Sequence, residues 1–173
     1  GKGSAKYSCY YECAGKVSSE SLQSRMYTPM YYELAAQDRM AAARYTLALT
    51  DTARREALAV LRQYEKELPA SLIPLMQATI LAKSEFFKLY VIFNMTPVRP
   101  GHAQWNALAA LYQTGIRHHD SLLLKKEHVK VAPAYVKYLM YKAQKDVIYE
   151  TGRSNYTLAY QRIKKSYTGL LRD

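Results

Sequence analysis

The stretch SLIPLMQATILAKSEFFKLYVIF, Ser71–Phe93, decides the fold. Leu72, Leu75, Met76, Ile80, Phe87, Tyr90 and Val91 recur at helical spacing and spread over most of the cylinder, so a helix from near Ser71 to about Asn94 is expected. A helix apolar nearly all round has to be covered by its neighbours, which makes this one the expected centre of the core. Lys83, Glu85 and Lys88 interrupt it. A membrane span needs roughly 20 mostly apolar residues, so the segment reads as a buried or interfacial helix.

Working outward, the punctuation falls at helical lengths. Upstream, Thr28 is placed as N-cap with Pro29 at the first helical position, and alanine enrichment carries that helix to about Leu49. Thr50 or Asp51 is expected to cap a further helix that Pro69 stops. Residues 1–17, with Gly1, Gly3 and Gly15 and no sustained period, are expected as an extended arm. Downstream, NMTPVRPGHAQ reads as a loop between two helical halves. A short helix around Trp105, Leu108, Leu111 and Tyr112 closes at Gly115; a longer one opens at Pro133 and closes at Gly152; a last one begins at Ser154 or Asn155. No alternating run of β-branched residues marks a strand. The expectation is therefore an all-α protein, an irregular bundle of about six helices with an N-terminal arm (1–17), a helical half (18–95) and a basic helical half (96–173) forming one structural unit.

The chain has 173 residues, a size that buries a real core in one domain. Its net charge of +11 points to an anionic partner: acidic protein, lipid headgroups or RNA. Between Ser121 and Asp173 there are eleven basic side chains against four acidic ones, so the C-terminal third carries most of the excess. The mean hydropathy of −0.32 excludes a protein made mainly of spanning helices. The first residue is Gly1, with no apolar signal-peptide core nearby, which reads either as removal of a presequence or as a scar of production.

Candidate chemistry is sparse. His118, His119, Asp120 and His128 crowd one span, but adjacent histidines point in different directions on any regular element, unlike the i, i+4 pair that a helical zinc site uses. Asp120 reads as an N-cap for the turn that follows. Cys9 and Cys13 cannot complete a four-ligand zinc site without histidines from elsewhere, and read as ordinary thiols. There is no phosphate loop, no nucleophile elbow and no carboxylate pair in apolar surroundings, so no catalytic residue, metal site or cofactor is expected. The unusual feature is seventeen tyrosines, many in doublets. Tyrosine is amphipathic and loses little rotamer entropy, which suits protein interfaces; interleaved with lysine it also stacks on unpaired bases. The expected partner-binding residues are Tyr135, Tyr138, Tyr141, Tyr156 and Tyr160 with Arg162, Lys164, Lys165 and Asp120.

Three blocks of the second half resemble a known family. TGIRHHDSLL supplies Gly115, Ile116, Asp120 and Leu122; VKVA supplies Val129, Lys130 and Ala132; QRIKK supplies Arg162, Lys164 and Lys165. In this order they resemble the small matrix-side accessory subunit of the mitochondrial cytochrome bc complex (ubiquinol–cytochrome c reductase). His119 stands where that pattern has an aspartate, no Arg-Leu-Pro follows Ala132, and roughly the first hundred residues have no counterpart. The resemblance implies an electron-transport accessory subunit without catalytic residues, on the matrix side of the inner membrane, with Asp120 anchoring a turn. Together with the residue reading, the expected function is a non-catalytic subunit of a large mitochondrial assembly, a respiratory-chain or ATP-synthase complex. It would bind neighbouring subunits and, through its basic tail, anionic lipid headgroups. The alternative is an RNA-binding protein such as a mitochondrial ribosomal subunit.

Overall fold

The structure, a computed structural model, describes residues 2–95, 100–115 and 132–166. In chain order its helices are α1 (Lys2–Val17), α2 (Ser19–Met26), α3 (Pro29–Gln37), α4 (Arg39–Gln63), α5 (Leu72–Tyr90), α6 (Trp105–Gly115), α7 (Pro133–Thr151) and α8 (Tyr156–Ser166), and a π-helical turn, Val91–Met95, extends α5. Among the described residues there is no strand, and the fold is an all-α helical bundle.

Helix α5 is the centre, as its all-round apolarity requires. Met76, Ile80 and Phe87 enter one apolar cluster with residues of α1, α2 and α4. Ala78, Ala82 and Leu89 enter another with Leu108 and Tyr112 of α6 and Tyr135, Tyr138 and Leu139 of α7. The N-terminal and C-terminal halves therefore meet across this helix. Named pairs set the directions. Arg54 with Glu85, and Asp51 with Lys88, run α4 antiparallel to α5. Glu12 with Tyr64, and Lys16 with Glu56, run α1 antiparallel to α4, so α1 is parallel to α5. Phe86 with Tyr141, and Phe93 with Tyr149, run α7 parallel to α5. Gly152, at φ +70, closes α7 in the left-handed conformation and donates its N–H to Ile148 at 2.8 Å, and α8 returns along α7.

Two expectations are corrected. Residues 1–17 are not an extended arm but form α1. Ala5, Cys9, Cys13 and Val17, four residues apart, make a buried stripe, the last three packed with residues of α4 and α5, while Gly3 and Gly15 face solvent. The two glycines cost about 0.5–1 kcal/mol each in a helix interior, which burial of the stripe outweighs. The expected break at Thr50 or Asp51 lies instead at Asp38, whose Oδ1 accepts the Met40 N–H at 2.8 Å as the N-cap of α4. Thr50 sits mid-helix with its hydroxyl donated to the Thr46 carbonyl, and the Asp51 carboxylate is taken by Arg54 and Lys88. Neither side chain is free to stop the helix. The cap at Thr28 with Pro29 is as expected, Thr28 Oγ1 accepting the Tyr31 N–H at 3.3 Å.

Candidate interaction surface

The charged groups that lie inside the bundle are consumed by one another. Glu85 and Lys88 have no exposed side-chain surface; Lys88 Nζ reaches Glu85 Oε1 at 2.9 Å and Asp51 Oδ1 at 2.6 Å, while Arg54 reaches the same two carboxylates at 2.7 and 2.9 Å. Two cations and two anions compensate at the α4–α5 interface, Glu85 and Lys88 inside it and Arg54 and Asp51 at its edge, an arrangement that orients the two helices. A second polar group joins α6 to α7: the Tyr112 hydroxyl donates to Asp146 Oδ1 at 2.5 Å, and Lys142 donates to Asp146 Oδ2 at 3.0 Å. Around it Tyr149 stacks between Trp105 and Tyr112 at 5.0 and 4.1 Å, and burial pushes its phenol well above the usual range. Cys9 and Cys13 lie 3.9 Å apart on the buried stripe of α1, and burial, aided by Cys9, pushes the Cys13 thiol up to about 12. A thiol held protonated is a poor nucleophile and a poor metal ligand. Among the described residues no three histidine, cysteine or acidic side chains are grouped to hold a metal ion.

The expected partner-binding residues divide. Tyr135 and Tyr138 are fully buried, because α7 turns them onto α5 and α6; they are core side chains and not surface contacts. Tyr141 is half-buried against Phe86 with the Lys145 ammonium 4.6 Å from its ring. Tyr156 and Tyr160 are exposed on α8, 70% and 52%. Arg162 is tied to Glu150, which holds the guanidinium's pKa above its usual value, while Lys164 sits 5.3 Å over the Tyr160 ring and Lys165 is exposed. Asp120, the histidines His118, His119 and His128, and the segment of the family resemblance from Ile116 to Lys130 lie outside the described residues.

The sequence reading missed the other tyrosine face. Tyr7, Tyr10 and Tyr11 project from α1, exposed by 64%, 49% and 70%. With Leu72, Leu75 and Met76 of α5 they bound an open apolar trough of about 320 Å³. The signal was present: Ala5, Cys9, Cys13 and Val17 define a buried stripe, and the tyrosines lie off it. Reading that stripe as helical required accepting small and sulfur side chains as apolar. The chain matches no protein-family model, no curated protein and no solved structure.

Proposed function

We propose that this protein is a non-catalytic accessory subunit of a large mitochondrial assembly, a respiratory-chain complex of the cytochrome bc type or an ATP synthase. One observation carries the interaction part of this reading. Seven of the nine large apolar side chains left exposed among the described residues are tyrosines, and five of those seven lie on α1 and α8, near opposite ends of the chain. A rigid amphipathic ring costs little entropy to fix and tolerates water before assembly, which is why such residues serve interfaces. The buried Glu85 and Lys88 pair with each other and with Asp51 and Arg54, and Lys142 pairs with Asp146, which supports a structural role for these groups. The basic end of α8 suits acidic protein surfaces or anionic headgroups on the matrix side. The mitochondrial placement rests on the family resemblance of the second half.

The test is to tag the full chain in the cells that make it, solubilise their mitochondria in mild detergent, and locate it on native gels by mass spectrometry with and without RNase. Comigration with cytochrome or ATP-synthase subunits, unchanged by RNase, is expected. Removing the chain after Thr151 should weaken that association. An RNase-sensitive, salt-sensitive shift from a ribosome-sized band would replace this reading with RNA binding.

A further inference from the structure

The accessory-subunit reading leaves open which face takes which partner, and the trough between α1 and α5 has the properties of one defined kind. Helices α1 and α5 run parallel, both backed by α4, so their outward faces form a trough with two helical walls. The α5 wall, from Leu72 to Lys83, follows the i, i+3, i+4, i+7 pattern through Leu75, Met76 and Thr79, and at 1.5 Å per residue it is about 16 Å long. That length is three turns of helix. Among the described residues the only charged side chains lining it are Lys6 and Lys83; neither is ion-paired to a described residue, and Lys83 Nζ rests 5.8 Å from the Tyr10 ring. Lys83 also borders a second hollow with Lys137, so the positive rim continues toward α7.

Three occupants come into question. A fatty acid or similar small amphiphile needs a pocket that encloses most of its surface, whereas this trough is open and its tyrosine wall is half or more exposed. A second copy of this strongly basic chain would bring like charge to a lysine rim. An amphipathic helix with acidic flanks satisfies both the shape and the charge: its apolar stripe fills the floor, and its carboxylates meet the ammonium groups. We propose that the α1–α5 trough is the docking groove for such a helix, about three turns long, from a neighbouring protein of the assembly. Tyr7, Tyr10 and Tyr11 grip one side, and Lys6 and Lys83 select acidic flanks. The proposal rests on the accessory-subunit reading and gives it one of its faces.

The test uses the full chain in intact mitochondria with two photo-cross-linking variants, Tyr11→p-benzoylphenylalanine in the trough and Tyr156→p-benzoylphenylalanine on α8. After irradiation, the adducts are mapped by mass spectrometry. The expected adduct at position 11 is a single protein segment with apolar residues at i, i+3, i+4 and i+7 and Asp or Glu beside them. Lys6→Glu with Lys83→Glu should lower its yield about tenfold, with Lys6→Gln and Lys83→Gln intermediate, while helicity by circular dichroism is unchanged. Adducts on phospholipid, on a second copy, on a segment without that pattern, or of a yield indifferent to the charge changes would overturn it. If the chain comigrates with a large complex and position 156 cross-links but position 11 does not, the groove is refuted and the subunit reading stands. If the chain migrates alone, both fall.

Discussion

Lys88 Nζ lies 2.9 Å from Glu85 Oε1, and neither side chain retains exposed surface. The pair is one turn apart on α5 and is completed by Asp51 and Arg54 from α4. Buried charge is tolerated only when compensated, so removing one member leaves the other expensive. Lys88→Met should cost about 3–5 kcal/mol in urea unfolding, because Glu85 then keeps only Arg54. Glu85→Leu combined with Lys88→Met should cost less than Lys88→Met alone, since Asp51 and Arg54 still pair with each other at 2.9 Å. A double variant that is less stable than the single would show that the pair contributes more than charge compensation.

Two tyrosine hydroxyls in the α6–α7 aromatic stack predict opposite outcomes. Tyr112 donates to the Asp146 carboxylate, so Tyr112→Phe should cost about 1.5–3 kcal/mol, the range for a hydrogen bond to a charged group. The Tyr149 hydroxyl is buried with no hydrogen-bond partner among the described residues. Tyr149→Phe keeps the ring stacked and discards an unsatisfied polar atom, so its stability should stay equal or rise, by up to about 1 kcal/mol. Thermal and urea unfolding of the two variants side by side decide the point.

The thiols of α1 report on the folding of the N-terminal segment. Cys9 and Cys13 are both buried, and Cys13 shares its S–H with the Ala57 carbonyl at 3.4 Å. Native protein at pH 8 should react with neither thiol on the timescale in which guanidinium-unfolded protein titrates both with Ellman's reagent. Because folding raises the Cys13 pKa from 9.0 to about 12, the associated stability is complete below pH 9 and drains away as pH climbs toward 12. Rapid native labelling would mean that α1 detaches from α4.

Glu56 joins α2 to α4 through two contacts from Arg25, at 3.0 and 3.2 Å, and Lys16 of α1 lies 3.8 Å away. The Arg25 hydrogen bond holds the Glu56 carboxyl below its ordinary value, against a smaller opposing effect of burial, with Lys16 reinforcing the shift. A lowered carboxyl pKa stabilises the fold above the ordinary carboxylate range, and that contribution disappears as pH falls through the lowered value. Glu56→Gln should therefore lose up to about 1 kcal/mol at pH 7, modest because the pair is partly exposed, and the gap from the parent protein should close in acid. Chemical unfolding at neutral and acidic pH measures it.

Much of the fold is written locally. Thr28 with Pro29, Pro133, Gly152 and Asn155 act within four residues of themselves, and each marks the helix end that the structure shows; Asn155 Oδ1 accepts the Leu158 N–H at 2.9 Å. The all-round apolarity of Ser71–Phe93 likewise demands neighbours on more than one side, and α4 and α7 supply them.

Other outcomes depend on residues far along the chain. Asp51 has the chemistry of a cap, but Lys88 and Arg54 claim its carboxylate, so α4 runs through it and breaks at Asp38 instead. The stripe of Ala5, Cys9, Cys13 and Val17 is too weakly apolar to announce a helix, and it becomes one because α4 and α5 offer a surface to cover. Tyr135 and Tyr156 are the same residue type in similar basic, tyrosine-rich company, yet one is sealed in the core and the other is 70% exposed. Caps and backbone preferences are short-range energies that a few neighbouring residues settle. Burial is assigned by whatever packs on a helix face, and here that came from α5 and α4.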